Sequence, residues 1–167
     1  MARHRSLTPA EREDAARIFR DSIDYHPVVI CRDSLFALVS ATTIGNRINL
    51  RAEHFAGGSL ELSQAGRLVL IHELAHVWQF QHGGLAYIRS SLIAQAAAII
   101  MMGSRRGAYD WRKAHDAGLP WRAWNAEQQA ECVSQYYAAV ECADRDTVRA
   151  AFRYVRRVRK RDGAPGG

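Results

Sequence analysis

The sequence predicts an α+β fold, mostly helical, with a short sheet ahead of a central buried helix. Three observations carry that prediction. Residues 66–80 are an uninterrupted helical run, apolar on both flanks of His72-Glu73-Leu74-Ala75-His76. Ahead of it, Val28-Val29-Ile30 reads as a short strand, and Arg47-Ile48-Asn49-Leu50-Arg51 alternates with period two. After it, helical patterning resumes behind the N-cap Asn125 and again from Asp144.

Each element has its own signals. Thr8-Pro9-Ala10-Glu11 combines an N-cap, a proline at the first helical position and an early acid, so a helix starts there and runs to about residue 20. Pro27 stops any continuation, and Val28 to Ile30 forms the first strand. Residues 35–41 are apolar and fit more than one element. Thr42-Thr43-Ile44-Gly45-Asn46 supplies a turn before Arg47 to Arg51, an edge or half-buried strand. Gly57-Gly58-Ser59 is a loop, and Ser63 caps the central helix. Gln81-His82-Gly83-Gly84 ends that helix, and Leu85 to Met102 makes a second apolar one. Gly103 breaks it before the basic loop Ser104-Arg105-Arg106-Gly107. Residues 108–124 hold Tyr109, Trp111, Trp121 and Trp124 in a loop-rich segment expected to pack over the site. Helices from Ala126 towards Val140 and from Asp144 to Arg161 complete the chain.

A length of 167 residues with 48% hydrophobic residues fits one domain with a full core. We place it at residues 1–150, with a basic helix end and flexible tail at 151–167. The start lacks the apolar stretch of a secretion signal. The most apolar run, Leu92 to Met102, falls short of the roughly 20 residues a membrane span needs. These features point to a cytoplasmic protein, or one exported by a route that uses no signal peptide. Three cysteines, Cys31, Cys132 and Cys142, have no metal-type spacing and read as reduced thiols. Cys132 and Cys142 lie about 15 Å apart along one helix, too far for a bridge. The net charge is +6, and Arg153 to Arg161 concentrates the excess. No aromatic or glycine-rich nucleic-acid signature accompanies the cluster, so it reads as a solvated helix end rather than a nucleic-acid surface.

The pentapeptide at 72–76 is the H-E-x-x-H pattern of zinc metallopeptidases, set in a helix that gives it meaning. Histidines four apart are separated by about 40° around the axis and one turn along it, so both can reach one Zn2+ ion. Glu73 is rotated by about 100° from His72, out of the metal's ligand sphere yet near a bound water whose proton it could take. An accidental copy of the motif would sit among charges on a wet face. Burying these three side chains instead costs several kcal/mol unless something binds them.

A catalytic zinc takes three protein ligands and leaves one position open. The metzincin continuation needs glycine where this chain has Gln79, although His82 is in phase. His82 next to Gly83-Gly84 reads more plainly as a helix end. A gluzincin takes its third ligand from a glutamate on a second helix, and Glu127 and Glu131 are four apart on the helix after Asn125. Glu127 is favoured as ligand. Glu131 then lies outside the ligand sphere and orients a ligating histidine through its other nitrogen. The reverse assignment of the two acids is the alternative.

Three stretches together resemble a known family. Thr43-Ile44-Gly45-Asn46-Arg47-Ile48-Asn49-Leu50, Leu70 to Gln79, and Asn125-Ala126-Glu127-Gln128-Gln129-Ala130-Glu131 look like the Vgr-related zincin-like proteins. They are similar to the metallopeptidase-like core domain associated with bacterial extracellular contractile injection systems. The resemblance spans most of residues 7–140. It implies a gluzincin-type fold with His72, His76 and Glu127 on zinc and Glu73 as general base. It also implies that Arg47 to Arg51 is the edge strand that pairs with an extended peptide, with components of a contractile secretion apparatus as partners.

The expectation is therefore a zinc-dependent metallopeptidase that hydrolyses peptide bonds. A donor to the oxyanion is required, with Tyr109, Tyr136, Tyr137 and His115 as candidates and Tyr109 placed first. Two other readings stay open. One is a catalytically silent zinc-binding accessory or cargo protein of a phage-tail-like secretion system. The other is a nucleic-acid binder using Arg153 to Arg161.

Overall fold

The first helix, α1 (Pro9–Phe19), begins where its caps require. Thr8 accepts from the Glu11 amide, and the Glu11 carboxylate accepts from the Thr8 amide. A computed structural model of the chain describes residues 3–37, 40–100 and 110–164, and of residues 36 and 85–100 the backbone alone. Glu11 is buried, and Arg5 offsets that cost with two bonds of 2.7 Å to its carboxylate. Arg5 belongs to a strand that the sequence pattern does not announce.

That strand is β1 (Arg3–Ser6), antiparallel to β2 (Val29–Arg32). β2 runs parallel to β4 (Arg47–Leu50), and β3 (Thr42–Ile44) closes the sheet antiparallel to β4. The strand order is β1-β2-β4-β3. Two expectations change here. Thr42 to Ile44 is a strand, and the turn is confined to Gly45-Asn46, where Gly45 takes φ 63°. Arg47 to Leu50 lies inside the sheet, so β3 is the edge beside the central helix. The reason is pairing: Ile48 and Leu50 are wholly buried, and only a partner on each side satisfies that strand's backbone.

Across the sheet, Arg5, Ile30, Ile48 and Thr43 occupy one rung. Paired residues point to the same face. That face carries the buried Ile30 and Ile48 and delivers Thr43 to the central helix, α2 (Gln64–Ile100). Ser63 caps α2 by accepting from the Gly66 amide at 3.0 Å, while Ser63 also donates to the His54 carbonyl. Gly66 passes so close to His54 that a Cβ there would lie 2.0 Å from its carbonyl oxygen. Within the span Gln64–Ile100 two helices meet at a kink, Gly84 (φ 60°, ψ −148°), which is the stop expected within 81–84. The expected break at Gly103 and the basic loop at 104–107 lie outside the described residues.

Behind α2 come α3 (Trp111–Asp116), α4 (Ala126–Glu141) and α5 (Arg145–Arg159). Leu70, Ile71, Leu74, Val77 and Trp78 of α2 are buried, as are Ala130 and Val133 of α4. The small Ala130 lets α2 and α4 approach closely. Ala151, Tyr154, Val155 and Val158 are buried, and the Trp78 indole donates to the Val158 carbonyl at 3.1 Å. The boundary expected at residue 150 therefore falls inside a helix of the core. No described helix is long and apolar enough to cross a membrane. The cysteines are free thiols.

Candidate metal centre

His72 and His76 lie on successive turns of α2, their ring centroids 5.0 Å apart. α4 brings Glu127 across from them in its first turn, fixed there by a capping box between Asn125 and Gln128. Glu127 Oε2 stands 3.2 Å from His72 Nε2 and 3.4 Å from His76 Nε2. The three ligand atoms all lie within 4.8 Å of one another. Zinc ligands at about 2.1 Å in tetrahedral geometry are about 3.4 Å apart, and the two spacings to Glu127 match that value.

Burial would raise the Glu127 carboxyl, but the charge of His76 and hydrogen bonds from His72 and His76 hold it well below its ordinary range. Burial likewise works against charging His72, yet its bonds to Glu127 and Glu131 and the Glu73 charge push it up to about 10. His76 is raised from its ordinary value as well; against its burial stand the charge of Glu127 and its hydrogen bond to that acid. Protons and a divalent cation compete for the same lone pairs here.

Glu73, buried on α2 one residue from His72, receives a hydrogen bond from the Thr43 hydroxyl on β3 (Oγ1 to Oε2, 2.7 Å). Its carboxylate is therefore oriented by the edge strand. A cavity of about 260 Å3 between α2 and α4 opens on His72, lined by Leu68, Val69, Ser134 and Ala138 among others.

Each of the two histidines is held from its other nitrogen. His72 Nδ1 lies 3.5 Å from Glu131 Oε2, and Glu131 Oε1 accepts from Gln135 at 2.7 Å. Gln135 in turn accepts from the Trp111 indole at 2.9 Å. His76 Nδ1 meets Gln79 Oε1 at 2.8 Å. The segment around the tryptophans thus reaches the site through the nitrogens that face away from Glu127, rather than packing over it. Sequence reasoning singles out neither Thr43 nor Gln79 for these contacts. The one hint is the buried side of helix α2 on which position 79 falls.

The structure brings His72, His76, Glu73, Glu127 and Glu131 together. It sends His82 elsewhere, against Trp78 and onto the Ser22 carbonyl at 2.6 Å. His115 bonds Tyr154 at 2.9 Å and packs on Trp111. Tyr136 stacks on Phe152, and burial, with the charges of Asp14 and Glu141, pushes the Tyr137 phenol up to about 12. His115 and the Tyr136 ring thus have partners of their own, and Tyr109 lies outside the described residues. The basic cluster is largely spoken for. Arg159 donates to the Arg17 and Ile18 carbonyls, Arg161 to that of Asp21, and Arg157 pairs with Asp162.

The eCIS core domain matches residues 35–84, the stretch that carries Thr43, His72, Glu73 and His76. Among solved structures, the effector domain of Pseudomonas aeruginosa VgrG2b matches with a TM-score of 0.67 and 26% identity. That match covers 90% of this chain and 83% of that one. No curated protein sequence matches the chain. The chain is thus similar to Vgr- and injection-system-related proteins, and it shares the α+β fold of an effector domain from that class.

Proposed function

We propose that the chain is a zinc-dependent, gluzincin-type metallopeptidase that serves as an effector of a contractile secretion system. The observation that carries this reading is the convergence of His72 Nε2 and His76 Nε2 on Glu127 Oε2, at 3.2 and 3.4 Å, beside a buried, oriented glutamate. Similarity to an effector domain supports the secretion half of the reading, with export by the apparatus.

Bound there, zinc would supply an acidified water and polarise the scissile carbonyl. Glu73 would accept the proton from that water and return it to the leaving amine. Thr43 would keep the Glu73 carboxylate aimed, and its strand β3, an edge of the described sheet, would receive the peptide as an added strand. Apolar side chains flanking the bond would enter the cavity at Leu68 and Val69. The oxyanion donor is then to be sought at Tyr109 or in the substrate-bound state.

The test takes the full chain as wild type, Glu127→Ala and Glu73→Gln. Metal content is read by elemental analysis, and cleavage of a peptide library by mass spectrometry. About one zinc per chain is expected in wild type and in Glu73→Gln, with loss in Glu127→Ala. Cleavage is expected in wild type alone. A wild type that takes up no zinc sinks the metal reading. Zinc uptake with no difference between wild type and Glu73→Gln would leave a silent zinc-binding cargo protein.

A further inference from the structure

Gln79 stands where a metzincin would have glycine, three residues past His76, and it is wholly buried (0% exposed). An amide in such a place must have every polar atom matched, and here the matching has a direction. The Gln79 nitrogen faces the Ala126 carbonyl at 2.9 Å and Gln129 Oε1 at 3.1 Å. Gln129, itself buried, turns its own nitrogen to the carbonyls of Trp121 (3.0 Å) and Gly163 (3.1 Å). A backbone carbonyl can only accept. The Trp121 and Gly163 carbonyls therefore orient Gln129, and the Ala126 carbonyl with Gln129 orients Gln79. That leaves only the Gln79 oxygen to face His76, so His76 Nδ1 must be the donor of their 2.8 Å bond. A neutral imidazole that donates from Nδ1 has its lone pair on Nε2. Nε2 is the atom beside Glu127 Oε2.

The His72 side is polarised in the same way. An indole N–H can only donate, so Trp111 orients Gln135, and Gln135 donates to Glu131 behind His72. One histidine is backed by a carboxylate and the other by a neutral amide chain. Both chains begin in the segment that carries Trp111 and Trp121.

We propose that Gln79 is a positioning residue that commits His76 to present Nε2 to the metal, through a hydrogen-bond chain rooted at the Trp121 and Gly163 carbonyls. The proposal rests on the zinc reading of the site. The chain also ties α2 to α4 at Ala126, one residue before Glu127, so the same amide that sets the tautomer fixes the distance between ligand helices.

The experiment uses the full chain labelled with 15N-histidine, as wild type, Gln79→Met, Gln129→Met and the double variant. In metal-free wild type, His76 is expected to show a protected Nδ1–H, and Gln79→Met to lose it. On adding zinc, wild type should keep that proton with Nε2 as the ligating nitrogen. Chelator competition should show zinc binding 10–100-fold weaker in Gln79→Met, the usual cost of losing an orienting partner. The double variant should be no weaker than Gln79→Met, because the chain is already broken. Absence of a protected His76 Nδ1–H in wild type overturns the proposal whether or not any variant folds. So does ligation through Nδ1, or wild-type zinc affinity in Gln79→Met. A protected Nδ1–H that depends on Gln79, in a wild type that binds no zinc, supports the chain and overturns the zinc reading instead.

Discussion

Thr43 shows how much of this site hangs on single atoms. Its hydroxyl is the sole described side-chain donor to the Glu73 carboxylate, at 2.7 Å, and it arrives from a different element. A hydrogen bond to a charged group is worth about 1.5–3 kcal/mol. Thr43→Val keeps the shape and removes the donor. We expect zinc content unchanged and peptide hydrolysis slowed by about ten-fold or more, read as turnover beside metal analysis on one preparation. Turnover at the wild-type rate would mean that Glu73 is oriented without Thr43. Thr43 acts on a residue that folding brings to it, and Gln79, though three residues from His76 on one helix, has its amide turned by Ala126 and Gln129 of another, so sequence assigns neither role. His72, Glu73 and His76 were legible because one helix fixes their relation. Glu127 was legible for a weaker reason, an acid in the first turn of a second helix four residues before another.

Among the elements, the helix ends govern where the ligands stand. α4 closes with Ala143 in left-handed geometry (φ 59°), and the Asp144 amide bonds back to the Ala139 carbonyl at 2.9 Å. This is a Schellman close without its usual glycine. An alanine there costs about 1–2 kcal/mol in strain, against about 0.4–1 kcal/mol of unfolded-state entropy that glycine would add. Strain outweighs entropy. Ala143→Gly should stabilise the fold by about 0.5–1 kcal/mol and raise the melting temperature by about 1–4 °C, measured by calorimetry. A lower melting temperature would show that the left-handed alanine carries no net strain. The sheet was harder to read than the helices. β3 has three residues and β1 carries two arginines, so neither shows the apolar alternation that marks a strand. Both exist because the buried β2 and β4 need backbone partners.

For the whole molecule, protons and metal are linked through the same two histidines. A histidine held above its unfolded value near 6.5 adds stability in full below that pH, and loses it as pH rises towards its folded value, about 10 for His72. The depressed Glu127 works in the opposite sense, adding stability above its unfolded value near 4.5 and losing it as pH falls through its lower folded one. The metal-free protein should therefore melt highest between about pH 4.5 and 6.5 and lose stability from there towards pH 10. Zinc must displace the protons on His72 and His76, so its affinity should climb over that alkaline window. Calorimetric titration in buffers of different ionisation enthalpy should show proton release on zinc binding. No release would mean that the histidines are already neutral at the pH of the measurement. Spacing along the chain was enough to specify the helix that carries His72, Glu73 and His76, the second helix with Glu127 and Glu131, and the capped starts of both. Each of these relations lies within one element, where a few residues fix the geometry. Folding in three dimensions settled which strand forms the edge and how Gln79 and Thr43 hold His76 and Glu73. Thr43 meets Glu73 from 30 positions away and Gln79 meets Gln129 from 50, and no local pattern encodes the partner at the far end.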